Sequence, residues 1–75
     1  MNGAQDETIQ LDQFLKWVGA VGTGGEAKRV IQAGRVRVND QRETRRRRKL
    51  SPNDVVVLGE RSFVVQFDGP PGESG

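Results

Sequence analysis

Five consecutive cations, Arg45, Arg46, Arg47, Arg48 and Lys49, are the densest chemistry in this 75-residue chain. Four are arginines, whose planar guanidinium groups suit bidentate contact with phosphate better than the point charge of lysine. Lys28, Arg29, Arg35, Arg37 and Arg42 precede them, and within residues 28–49 only Asp40 and Glu43 oppose the ten bases. The segment therefore carries +8. Residues 1–27 and 50–75 each hold one base against four acids, a balance of −3 on either side. The net charge of +2 conceals a strongly polarised chain, and an anionic surface responds to that polarisation.

A run of like charges is more often a solvated face than a site. Here the run lies between apolar segments rather than in a tail, and no acidic block of matching length is available to neutralise it. Keeping five adjacent cations in a folded domain costs stability unless an anion is bound. Replacing Arg45, Arg46, Arg47 and Arg48 with alanine is thus expected to weaken nucleic-acid binding and leave the fold intact.

Other chemistries are narrowed by what is missing. The chain has no Cys and no His, so disulfides, Cys/His metal sites, Ser–His or Cys–His nucleophiles and imidazole acid–base work are excluded. The scattered carboxylates form no paired site. No metal, no cofactor, no small-molecule substrate and no catalytic residue are expected. Gly22-Thr23-Gly24-Gly25-Glu26-Ala27 fits G-x-G-x-x-A, but a dinucleotide fingerprint needs a preceding strand and a βαβ unit. The residues before it have helical period, so a tight helix–helix corner is the better reading. Free amides at Gly24 and Gly25 remain able to accept a phosphate of a larger ligand.

These residues need elements to hold them. Leu11, Phe14, Leu15 and Val18 recur at i, i+3, i+4 and i+7, which predicts a first helix over 11–18, ended by Gly19 and Gly22. Thr23 and Glu26 have the T-x-x-E form of a capping box, in which the Glu26 carboxylate returns to the Thr23 amide. A second helix over 24–33 follows, with Gly34 in the left-handed position beyond its end. Gly24, Lys28, Gln32 and Arg35 fall on one helical stripe. Residues 35–39 alternate as a strand, with Val36 and Val38 inward, and Asn39-Asp40 fit the centre of a hairpin turn. A return strand over 41–44 runs into the arginines. Ser51-Pro52-Asn53-Asp54 is a turn with Asn53 suited to positive φ. Strands over 55–58 and 62–66 flank Gly59-Glu60-Arg61, and a short strand at 8–10 is possible. The expected class is α+β: two short helices packed on a small twisted antiparallel sheet.

Leu, Ile, Val and Phe total 19 residues, enough for one small core and too few for two. A single domain over 8–67 is expected, with mobile polar flanks at 1–7 and 68–75. The longest aliphatic run, Val55–Leu58, is far short of a membrane span, and the acidic N-terminus lacks signal-peptide character. A cytoplasmic monomer with no membrane partner is the expectation. Trp17, one position off the apolar stripe, reads as a core-edge residue. Few aromatics and none within 28–49 argue against single-strand stacking and for phosphate and shape recognition of structured nucleic acid.

Read together, these residues resemble the RNA-binding domain named for ribosomal protein S-four, the alpha-L RNA-binding motif. The resemblance rests on Leu11-Asp12 with Phe14-Leu15 and Gly19, then on Thr23 with Ala27-Lys28 and Ile31. Gly34-Arg35-Val36-Arg37-Val38-Asn39 matches the family's G-x-V-x-V-N, and Pro52-Asn53-Asp54-Val55-Val56 stands for its Pro-Gly-Asp-x-aliphatic close. Small bacterial members share the G-G-x-A-K start of the second helix and the E-T-R-R-x-R-K segment, here residues 24–28 and 43–49. Two positions depart from the pattern: Gly24 stands where many members have Arg, and Asp40 replaces the turn glycine. The resemblance implies binding to structured RNA, commonly ribosomal or transfer RNA, through the second helix and the hairpin. Lys28, Arg29, Arg35, Arg37, Arg42 and residues 45–49 are then the expected phosphate contacts, with Thr23, Gly24, Gly25 and Asn39 secondary. A DNA-binding domain and a module docking an acidic protein would draw on the same cations.

Overall fold

A computed structural model describes residues 8–67 of the chain. The flanks at 1–7 and 68–75, expected to be mobile, lie outside the described residues. The elements run β1 (Ile9–Gln10), α1 (Leu11–Trp17), α2 (Gly24–Gln32), β2 (Val36–Val38), β3 (Gln41–Arg42), β4 (Lys49–Leu50), β5 (Val55–Leu58) and β6 (Arg61–Val64). The class is α+β, as expected.

Helix α1 is too short to persist on its own, and its ends are held from outside. Its N-cap, Gln10, makes no side-chain capping bond. Instead the Leu11 N–H donates to the Arg48 carbonyl at 2.8 Å and the Asp12 N–H to the Arg46 carbonyl at 3.0 Å. Two of the four orphan amides of the helix are thereby satisfied by the arginine segment itself. At the other end Gly19, at φ 78°, closes a Schellman motif: its N–H donates to Lys16 and that of Ala20 to Leu15.

Thr23 caps α2, its hydroxyl accepting from the Glu26 N–H at 3.1 Å. The return bond of the expected capping box is shifted by one residue. Glu26 Oε1 accepts from the Gly22 N–H at 2.9 Å, not from Thr23. Gly22 has no side chain to screen that amide. Gly34, also at φ 78°, ends the helix with a second Schellman motif, Gly34 N–H to Ile31 and Arg35 N–H to Val30. That left-handed step turns the chain off the helix axis. Arg35 therefore does not continue the stripe of Gly24, Lys28 and Gln32, contrary to the helical count.

Two antiparallel sheets are present rather than one. A four-stranded sheet has the order β3-β2-β5-β6, and a two-stranded one pairs β1 with β4. The β1–β4 pairing, Ile9 with Leu50 and Gln10 with Lys49, was not foreseen at Lys49–Leu50 because two-residue strands have no periodicity to read. Asn39 and Asp40 occupy the β2–β3 turn at φ 53° and 70°, the pair of positive values a type I′ turn requires. Strand β3 stops at Arg42, short of the expected 44, where the chain bends to bury Glu43. The β5–β6 turn is only Gly59-Glu60, so Arg61 belongs to the strand and pairs with Leu58. Asn53 adopts positive φ, 77°, in its turn as expected.

The core takes side chains from both helices and both sheets: Leu11, Phe14 and Leu15 of α1, Ala27 and Ile31 of α2, then Val36, Val38, Leu50 and Val56 are fully buried. Among the described residues no helix is long and apolar enough to cross a membrane.

The two glycines that end the helices differ in surroundings, which separates backbone strain from crowding. A Cβ at Gly19 would meet nothing within 4 Å, whereas at Gly34 it would lie 3.2 Å from Arg42 Cδ. G19A should cost about 1 kcal/mol from the left-handed backbone alone. G34A should cost more, about 1–2 kcal/mol, because the Arg42 side chain must also move. Urea unfolding of the two variants checks this; equal losses would show that Arg42 yields freely.

Candidate nucleic-acid interface

The arginine segment is a built loop, and one carboxylate organises it. Glu43 is the buried charged residue among those described, with 6% of its surface exposed. Its Oε2 accepts from the backbone N–H of Arg45 at 3.1 Å and from Arg45 Nε at 3.0 Å, while Oε1 accepts from an Arg48 guanidinium nitrogen at 2.9 Å. The Arg45 hydrogen bonds, then those of Arg48, hold the Glu43 carboxyl down at about 2 against the opposing effect of burial. The Arg45 guanidinium is correspondingly raised by the same carboxylate. Arg48 lies half-buried beside it, whereas the Arg45 side chain is 76% exposed. Outside this knot the loop is fixed by its backbone, through the Arg46 and Arg48 carbonyls on α1 and an Arg48 N–H to Arg45 carbonyl bond of 3.2 Å.

The remaining cations sit on adjoining elements. The Glu43 N–H donates to the Val36 carbonyl at 2.9 Å, which seats the loop at the base of the β2–β3 hairpin. Arg37 and Arg42 face each other directly across that hairpin. Arg42 also packs over Gly34, at the end of α2, and Arg35 follows in the link to β2. Contacts thus connect the end of α2, the hairpin, the loop and the start of α1. Lys28 and Arg29 stand exposed on α2 without a direct contact to that group. Thr23, Gly24 and Gly25 are at the far end of α2, with Gly24 about 12 Å along the axis from the last helical residue, Gln32, at 1.5 Å per residue.

Both ion pairs among the described residues belong to Glu43. Lys28, Arg29, Arg35, Arg37, Arg42, Arg46, Arg47 and Lys49 are in none, and all but the half-buried Arg46 are exposed. Asn39 is more committed than its place at the hairpin suggests. Its Oδ1 accepts from the Val55 N–H at 3.0 Å and its Nδ2 donates to Asp54 at 3.1 Å, tying hairpin to strand β5. Trp17 lies at the core edge, half exposed, stacked on Phe67 with ring centres 6.2 Å apart and edge-on to Phe14 at 6.1 Å. Among the described residues no cluster of acids is placed to hold a metal ion.

Glu43 is the functional residue that residue-by-residue reading undervalued, since it counted only as an opposing charge. The signal was present: it is one of two acids among ten cations, two residues before Arg45 and five before Arg48. The pairing also corrects the expectation that residues 45–48 can be replaced by alanine with no effect on folding. Removing Arg45 and Arg48 would strand a buried carboxylate.

A helical pair on small antiparallel sheets, carrying a basic hairpin and loop, defines a small α+β class of domain. The model of the S4 domain family matches residues 3–66, and the chain belongs to that family. It is 45% identical over 60 residues to a probable ribosome maturation protein RlbA of Bacillus subtilis (strain 168), a match covering 79% of this chain and 84% of that protein. The crystal structure of the 30S ribosomal protein S4e from Thermoplasma acidophilum superposes with a TM-score of 0.65 at 19% identity, which shows the shared fold. That match covers 84% of this chain and 33% of the archaeal protein, so the chain spans about a third of its length.

The depressed Glu43 carboxyl fixes the sign of a pH effect. Its folded value near 2 lies below its usual 4.5, so its stabilisation is complete above 4.5 and is lost as pH falls toward 2. E43Q should cost on the order of 2 kcal/mol at neutral pH, allowing for the solvent around Arg45. The gap between the two proteins should close between pH 4.5 and 2. Denaturant unfolding across that range measures it, and a gap independent of pH would deny the carboxylate this role.

Proposed function

We propose that the chain binds structured RNA, ribosomal or transfer RNA in kind, without catalysing a reaction on it. The exposed cations of α2, the β2–β3 hairpin and the arginine loop grip the phosphate backbone. The observation that carries this reading is the loop's construction: its Arg46 and Arg48 carbonyls are anchored on α1 while Arg46, Arg47 and Lys49 have no acid partner among the described residues. An anchored backbone has little of its own entropy to lose when the loop meets a phosphate, and four arginines add planar, bidentate geometry. Membership of the S4 domain family and similarity to a probable ribosome maturation protein support an RNA-binding, ribosome-associated role. The Thr23, Gly24 and Gly25 end of α2 supplies a second, weaker set of donors in the same reading, and Asn39 retains one free N–H. The protein acts as a cytoplasmic monomer, needs no cofactor, and has RNA as its partner.

Fluorescence anisotropy with a ribosomal RNA hairpin tests the proposal. With about five to seven phosphates engaged, log K should fall against log[salt] with a slope of about −4 to −6. The double variant R46A/R47A spares the Glu43 pairs, so it should keep its fold while the slope becomes shallower by about 2. A flat salt response would overturn phosphate recognition. Equal affinity for duplex DNA at matched salt would overturn the choice of RNA, and displacement of RNA by an acidic protein alone would favour a docking module.

A further inference from the structure

The outer face of the four-stranded sheet holds a groove that sets an apolar wall beside two of the proposed phosphate contacts, Arg35 and Arg37. It has a volume of about 410 Å³ and is lined by Gly34, Arg35, Arg37, Val57, Leu58 and Gly59. Register explains its character. Arg37 is directly opposite Arg42 on β3 and directly opposite Val57 on β5, so these three side chains form one row across the sheet. Two like charges facing each other across a ladder destabilise it. Neither has an ion-pair partner among the described residues, and no carboxylate lines the groove. No acid among the described residues neutralises the pair.

The size and the second wall narrow the ligand. The volume falls in the range of about 300–1,000 Å³ typical of small-ligand sites, enough for one nucleotide and too little for a duplex. Val57 offers an apolar surface beside guanidinium groups that both stack on a base and donate to a phosphate. Gly34 and Gly59, at φ 78° and 63°, carry no side chain, and a Cβ at Gly59 would meet nothing within 4 Å. At the β5–β6 turn, Gly59 therefore puts no side chain in the way of a ligand. We propose that the groove receives a single unpaired nucleotide, base against Val57 and phosphate on Arg35 and Arg37, from a bulge or end of the bound RNA. This rests on the RNA-binding reading above and adds the part of the RNA that is read.

Two arms of one experiment separate the inference from its foundation and the RNA strand from a free nucleotide. Amide NMR signals of the intact protein are followed with adenosine monophosphate and with inorganic phosphate. The nucleotide should move Gly34, Val57 and Gly59 more than phosphate does, and leave Gly24 and Gly25 in place. Affinity is then compared for an RNA hairpin with one bulged nucleotide and the same hairpin fully paired. The bulged RNA should bind about 10-fold more tightly, as covering the Val57 side chain and adding one guanidinium–phosphate contact allow. V57E should bring that ratio to one. R37Q, which relieves the Arg37–Arg42 repulsion and so keeps the fold, should lower the ratio as well. Equal affinity of the wild-type protein for both hairpins overturns the inference and leaves the RNA-binding reading standing. Binding to neither hairpin overturns both readings, and nucleotide shifts in that case would mark a free-nucleotide site instead.

Discussion

A single buried carboxylate makes the rest of this surface possible. Five adjacent cations repel one another, and left alone they would spread into solvent as a mobile loop. Glu43 prevents that by taking Arg45 and Arg48 on its two oxygens at 3.0 and 2.9 Å. Burial raises the cost of its charge, and the two guanidinium groups more than offset it, as the carboxyl's value near 2 records. The backbone between them is then free to serve a second purpose. The carbonyls of Arg46 and Arg48 satisfy the first two amides of α1, a helix with no side-chain cap of its own. Loop and helix each complete what the other lacks.

The same knot sets where the charge goes. Strand β4 begins at Lys49, directly after the loop, and pairs with β1, directly before α1. The far end of the loop is thus clamped to β1 and α1, while Glu43 clamps its near end to the base of the hairpin through Val36. Cations from the end of α2, the hairpin and the loop are drawn onto adjoining elements, with Asp40 at the hairpin turn and the buried Glu43 as the two acids among them. Neutralising the run with several carboxylates would also have ordered it, but at the expense of the field that an RNA backbone would meet. One carboxylate supplies shape at the smallest loss of charge.

Much of this was legible in the residues, and the failures share a cause. The helices follow from apolar spacing and from glycines at positions that need positive φ, and the hairpin follows from Val-x-Val-Asn with a turn-forming pair. These are local rules, and they held to within a residue or two. What local rules do not reach is pairing across distance. Strand β4 is two residues long and exists only because β1 lies beside it. The Glu26 carboxylate chose Gly22 over Thr23 because of a loop whose path is tertiary. Arg35 left the helical stripe through the left-handed turn at Gly34, although that turn itself was expected. Glu43 looked like a stray acid because its importance lies in burial, which charge counting does not see. The positions of the cations were evident from the sequence; the device that arranges them was not.

The arrangement also couples stability to occupancy. A domain of this size buries too little surface to have stability to spare, yet it keeps Arg37 opposite Arg42 and three further cations of the loop without partners. Each unpaired cation raises the free energy of the unbound fold slightly, and each is relieved when a phosphate approaches. On the proposed reading, RNA therefore stabilises the protein by more than contact alone, since binding removes a repulsion that folding had to overcome. The two halves of the surface differ in this respect. In the loop, Glu43 has already absorbed the worst of the repulsion, so an arriving phosphate meets a shape that does not change. On the hairpin, Arg37 and Arg42 form no ion pair among the described residues, and on the proposed reading an anion completes the row. On that reading the loop is a preformed anchor, and the hairpin row is the part of the surface where an anion has most repulsion to relieve.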